Sequence, residues 1–149
     1  MAIFTSLNFN NPGNILAPHS AGEVMMMEDV VSLPDTLAQN DIIKLGYLPA
    51  GCTPVDLTGF VEELDTAGSD TLRITIGLLN ADGDGIISGS ELVSNLQAEA
   101  DKVFRGNAAG LNGLAVDKIN NRVIAGKVTA AGTTKAAGTL RAKLLYCAV

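Results

Sequence analysis

Apolar and polar residues alternate with a period of two through three stretches of the chain. Leu72, Ile74, Ile76 and Leu78 alternate with Arg73, Thr75 and Gly77. Val55, Leu57, Gly59 and Val61 alternate with Asp56, Thr58, Phe60 and Glu62, and Leu140, Ala142, Leu144 and Tyr146 with Arg141, Lys143, Leu145 and Cys147. A two-residue period puts one set of side chains on each face of an extended strand, so these stretches predict half-buried antiparallel strands. Less regular strand candidates are Val24–Leu33, Asp41–Leu48 and Arg122–Thr129. The connections carry turn chemistry: Leu33-Pro34-Asp35, Pro49-Ala50-Gly51, Ala67-Gly68-Ser69-Asp70 and the stretch 130–138. Many short strands, turns about every ten residues and no alternation of strand with helix predict an antiparallel β-sandwich.

Two segments depart from that pattern. Leu92, Val93, Leu96, Ala100, Val103 and Phe104 recur at helical spacing through Ser90–Arg105, with Ser90 as cap and Gly106 as stop, which predicts one short helix; a pair of short irregular strands is the alternative. Residues 1–22 read as an extended N-terminal arm ahead of a sandwich domain at 23–149. Asn8, Asn10, Asn11, Pro12, Gly13, Asn14 and Pro18 interrupt Phe4, Leu7, Phe9 and Ile15 more often than a helix or strand tolerates. Two of the four phenylalanines lie in this arm, which favours an arm laid over a surface.

At 149 residues the chain suits one domain. Hydrophobic residues make up 47% and charged residues 17%, so the chain folds and yet carries much uncharged surface, as a protein does that buries part of its exterior against copies or a partner. No arrangement of a catalytic triad is visible. The single histidine, His19, lies between Pro18 and Ser20 in the arm, a poor place for a general base. Neither of the common Gly-rich nucleotide cradles occurs. Cys52 and Cys147 lie 95 positions apart and form no zinc pattern. Both fall beside predicted strands and could pair, but nothing marks an oxidising compartment, so free buried thiols are expected. The N-terminus lacks the basic start and apolar run of a signal peptide, and synthesis in a cytoplasm is expected.

The net charge of −6 hides an asymmetry. Residues 1–100 carry Lys44 and Arg73 against fourteen acidic side chains, a balance of −12, while residues 101–149 carry eight cations against Asp101 and Asp117, a balance of +6. Either the two segments compensate within one sheet system, or a basic patch docks on an acidic surface. Nucleic-acid binding is disfavoured by a pI near 4.6 and by basic residues (Arg122, Lys127, Arg141, Lys143) that have no stacking aromatics among them.

One motif has metal-like spacing. Asn80, Asp82, Asp84, Gly85 and Glu91 fall at positions one, three, five, six and twelve of a calcium loop, where alternate oxygens converge on a hard cation and a glycine permits the sharp turn. Against that reading, position one is asparagine, the segment entering the loop is the cleanest strand in the chain, and no second loop pairs with it. A Gly/Asp-rich turn needs the same residues for its backbone angles. No metal or cofactor site is assigned. A carboxylate-pair hydrolase built on Glu62, Glu63 or Asp65 is the weakest alternative, since acids at a strand end more often form a solvated edge that blocks aberrant pairing.

The series Ile43-Lys44-Leu45-Gly46-Tyr47-Leu48-Pro49-Ala50-Gly51, Val55-Asp56-Leu57, Glu63-Leu64-Asp65-Thr66 and Thr71-Leu72-Arg73-Ile74-Thr75-Ile76-Gly77-Leu78-Leu79-Asn80 resembles the jelly-roll capsid cement, or decoration, proteins of tailed bacteriophages. In that family a strand ends in a Leu-Pro-x-Gly turn, a second ends in a Leu-Asp-Thr/Ser step, and a third reads Thr-Leu-x-Val-Gly-Leu-Leu. Arg122–Ala131 and Ala137–Tyr146 are similar to the family's last two strands. The resemblance covers roughly residues 40–80 and 120–147. It implies a jelly-roll sandwich, a virion structural protein without enzymatic activity or cofactor, and a homotrimer bound to the major capsid protein on the outside of the head. It also implies no nucleic-acid or membrane partner. The competing readings are a calcium-dependent or carbohydrate-binding jelly-roll module and a head-tail or tail structural protein.

Overall fold

The computed structural model describes residues 1–7, 9–10, 17–18, 20–67, 71–98 and 101–149. Its strands are β1 (Ile3–Thr5), β2 (Val24–Leu33), β3 (Ile42–Leu48), β4 (Cys52–Val61), β5 (Arg73–Leu78), β6 (Val93–Gln97), β7 (Lys102–Arg105), β8 (Arg122–Ala130) and β9 (Gly138–Ala148), with a short helix α1 (Ala108–Gly113) between β7 and β8. One sheet runs β1-β3-β8-β5-β6 and the other β2-β9-β4-β7. With β1 set aside, the first, eighth, third and sixth strands of the remaining eight form one sheet and the second, seventh, fourth and fifth the other. That is the strand order of a jelly roll, two Greek keys wound into a sandwich.

The alternating stretches do what their period predicts. β9 pairs antiparallel with β2 from Val24↔Cys147 to Leu33↔Gly138, and with β4 on its other side. Val31, Leu33, Leu57, Val61, Leu140, Leu144 and Tyr146 of this sheet face Ile43, Leu45, Ile74, Ile76, Ile124 and Val128 of the other in one core. A fully buried aliphatic side chain of this size contributes about 1.5–3 kcal/mol. A bulge between Pro54 and Asp56 breaks the expected stripe in β4: Pro54 and Leu57 turn inward, and Val55 is left 46% exposed.

Three expectations need correction. Ser90–Arg105 is not a helix; it supplies β6 and β7. The three-residue spacing of Val93 and Leu96, both buried, comes from a left-handed residue, Asn95 (φ 53), and a register shift against β5, which together return Leu96 to the core side. Val103, assigned to the apolar face of that helix, points outward and is 76% exposed. Ser90 is not a helix cap: its hydroxyl accepts from Leu78 N and donates to Ile87 O, and Gly106 N donates to Leu57 O. Among the described residues the one short helix is α1, capped by Asn107, whose side chain accepts from Gly110 N at 2.5 Å.

The arm is not irregular throughout. Residues 3–5 form β1, which adds a parallel edge to β3 in the register Ile3↔Ile42. Phe4 packs against the core, and Phe9 stacks on Tyr47 of β3 at 4.7 Å between ring centroids, with Lys44 Nζ 5.2 Å from the Phe9 ring. The start of the arm is therefore laid over its own sheet. Asn8, Asn11, Pro12, Gly13, Asn14, Ile15 and His19 lie outside the described residues, as do Gly68–Asp70 and Ala100.

Cys52 and Cys147 are both free. Thr53, not Cys52, stands opposite Cys147, so the two thiols leave adjacent strands on opposite faces of the sheet. Burial pushes the Cys52 thiol up, which lowers its thiolate fraction.

Candidate functional site

The acids that follow β4 separate. Glu62 Oε2 accepts from Thr139 N at 2.6 Å, and exposed Glu63 donates its backbone N–H to Asp101 Oδ1 at 3.1 Å. Asp65 is fully buried. Its carboxylate accepts five backbone N–H groups, from Ala67, Thr71, Leu72, Thr133 and Thr134, and the Thr71 hydroxyl at 2.9 Å. Burial works to raise its pKa. The hydrogen bonds, led by those from Thr134 and Thr71, outweigh that and hold the carboxyl well below the usual carboxylate range. Asp65 thus pins the loop after β4 to the segment before β9, and every oxygen lone pair it could offer a substrate already has a donor. The expectation of a solvated edge holds for Glu63 and fails for Asp65.

The calcium-like segment forms a self-contained turn. Asn80 Oδ1 accepts from the amides of Asp84 and Gly85, Asn80 Nδ2 donates to Asp84 Oδ1 at 2.7 Å, and Asn80 N donates to Gly85 O. The sharp turn falls at Gly83 (φ 76), two residues before the glycine that the calcium spacing assigns to it. Lys127 Nζ donates to Asp84 O at 3.1 Å, so a built-in cation sits against the loop. Asp82 is exposed, and the Glu91 backbone carbonyl accepts from Asn107 Nδ2. Among the described residues no three His, Cys, Asp or Glu side chains gather as a metal would need. The turn lies over the outer face of β5, where Gly77 makes room for it: a Cβ there would stand 2.6 Å from the Ile86 side chain.

Two outer sheet faces remain. On the β2-β9-β4-β7 face, Val24 and Met26 are about half exposed (51% and 52%) beside Cys147 and Leu145, their partners across the ladder. Arg141 and Lys143 come next along β9, both reaching Glu28 (3.9 and 3.6 Å), and Arg105 forms a two-pronged pair with Asp56 at 3.1 and 2.8 Å. Thr58, Phe60 and Val103 complete a shallow groove with Arg141 and Lys143. On the five-stranded sheet, the edge formed by β1 is held by polar ties: the buried Ser6 hydroxyl donates to Asp29 Oδ1 at 2.8 Å, Ser6 N donates to Lys44 O, and Asp41 accepts from Ala2 N and Ala38 N. Sequence reasoning did not single out Ser6, Asp29 or Asp41; the one available signal was Asp29, an acid within the apolar run of β2.

Asp65 is committed to structural hydrogen bonds, and Val24, Met26 and Val103 stand outward on the four-stranded sheet. No protein-family model matches the chain. No curated protein matches its sequence. Among solved structures it is similar to a chain in the capsid of Ralstonia phage GP4, at 25% identity and a TM-score of 0.80 over 99% of both chains. It is also similar in fold to a chain in the capsid asymmetric unit of cyanophage Pam1, at 20% identity and a TM-score of 0.64 over 91% of this chain and 94% of that one. The likeness to the Ralstonia phage GP4 capsid chain supports a structural role in a phage virion, in a capsid-related protein. Among the described residues no helix is long and apolar enough to cross a membrane.

Proposed function

We propose that the chain is a capsid cement protein: it binds the outside of a phage head as a homotrimer, bridges major capsid subunits and stabilises the shell, without turnover, nucleic acid or membrane. The observation that carries this reading is the end-to-end likeness, 99% of each chain at a TM-score of 0.80, to a chain of a phage capsid. The low charge content supports it, as do the half-exposed Val24, Met26 and Val55 on one sheet face and the β1 extension on the other sheet. Many copies, each with a modest contact, add up to a strong lattice because each contact after the first forms at high effective concentration.

Heads purified from a phage lacking the gene, with the purified chain added back, test the proposal. The chain co-sediments with heads at a fixed stoichiometry, in multiples of three, and raises the temperature at which they release DNA. Co-sedimentation with isolated tails, or heads whose melting is unchanged at saturation, contradicts it.

A further inference from the structure

The loop that leads into β8 is fixed along its length and yet presents an apolar side chain at its tip. Asp117 Oδ1 accepts from Ile119 N at 2.8 Å and from Asn120 N at 2.9 Å, and Asp117 O accepts from Gly51 N at 2.7 Å. Asn121 Oδ1 accepts from Ala50 N, and the Arg122 guanidinium donates to Ala115 O and Cys52 O. These bonds tie the loop to the turn before β4, at one end of the sandwich. Ile119 nevertheless stands 86% exposed, with exposed Lys118 beside it. An aliphatic side chain whose backbone is already held in place loses little conformational freedom on docking, which is what an interface anchor requires.

Beside this loop a cleft of about 490 Å³ opens on the outer face of the five-stranded sheet. Asp117 and Asn121 of the loop line it, and Leu79, Ile87 and Val123 give it apolar walls. Exposed Asp82 lies between two further lining residues, Ala81 and Gly83, and so stands at its rim. The two cations of the lining are engaged within the chain: Arg122 with the carbonyls just named, and Lys44 with the Phe9 ring, 5.2 Å from its Nζ. The cleft therefore suits an aliphatic side chain, and its acidic rim suits a cation next to that side chain. Lys118 and Ile119 carry both. We propose that Ile119 of one copy inserts into the cleft of the next, with its Lys118 against the neighbour's Asp82. Ile119 is two residues from Asp117 and from Asn121, so at most about 7 Å of chain separates the anchor from the lining of its own cleft. Anchor and cleft thus lie on adjoining surfaces, the end of the sandwich and the sheet face that meets it. A heterologous contact between adjoining surfaces turns each copy about a nearby axis and closes a small ring, in which every anchor and every cleft is covered. The contact gives the trimer of the proposed function its interface, and it rests on that reading.

Light scattering on the full chain over a range of concentrations tests the contact. The unaltered chain has a mass near three times 15.4 kDa. Ile119→Asp, at an exposed position, reduces the mass to that of a single chain while circular dichroism stays unchanged, and Ile119→Ser weakens association by more than about tenfold. Lys118→Glu and Asp82→Lys each move dissociation to higher concentration, and the chain carrying both reversals recovers the unaltered midpoint. A trimer that Ile119→Asp retains overturns this contact and leaves the trimer standing. A monomeric Ile119→Asp together with reversals that recover nothing places Ile119 elsewhere on its neighbour and also overturns the contact. An unaltered chain that is a monomer at all concentrations overturns the contact and the trimer together. A trimer that Ile119→Asp keeps intact but detaches from heads assigns the loop to the shell, and the contact between copies falls.

Discussion

The Asn80–Glu91 turn and the Asp65 clasp are both acid-bearing segments at the end of a strand, and they use their carboxylates in opposite ways. The turn has recognisable spacing, yet Asn80 closes it by local bonds to Asp84 and Gly85, and Asp82 stays in water. The clasp has no motif, yet Asp65 is fully buried and holds together segments almost seventy residues apart. Spacing along the chain reports what a local turn needs. A buried anchor is recognised only when the donors that satisfy it are brought in by the fold, here Thr71 and Leu72 on one side and Thr133 and Thr134 on the other.

The difference is broken most severely at Asp65. Asp65→Ala removes the acceptor for five amides, and each buried donor left unmet costs about 1–3 kcal/mol, so calorimetry should show a loss of about 3 kcal/mol or more. Acid acts on the same group. Its pKa is depressed in the folded chain, so its contribution is fully present above the unfolded value near about 4 and is lost as pH falls through the folded value. The melting temperature should therefore decline below about pH 4, and Asp65→Asn, measured across the same range, should flatten that decline. Gly77→Val drives a side chain into Ile86 and the Ser90 carbonyl and should cost about 1–3 kcal/mol by displacing the turn from β5. Asn80→Ala, in a solvent-exposed turn, should cost about 1 kcal/mol in the same assay. Excess calcium should leave the melting temperature of the unaltered chain where it is; a clear rise would restore the metal reading of Asn80, Asp82, Asp84 and Glu91.

The same contrast of local and distant causes explains how much of the fold was legible. β5 and β9 follow from alternation because each is flanked by partners on both sides and buries one face continuously. β6 and β7 read as a helix because Asn95 inserts a left-handed residue that imitates a helical interval, and because β7 is a four-residue edge whose Val103 faces outward. β1 is three residues long and exists by pairing with β3, which no pattern within residues 1–22 announces. Asp65 reads in the sequence as part of a solvated edge or as a hydrolase carboxylate, because the donors that satisfy it lie up to 69 positions away.

The central claim, an assembly module on the head of a phage, is tested most directly by an electron cryomicroscopy reconstruction of the virion that carries the chain. The account predicts jelly-roll density in groups of three on the outer surface of the head, at the local three-fold positions between capsid subunits. Density for the chain in the tail or the head-tail junction, or a virion that does not contain it, would contradict that claim.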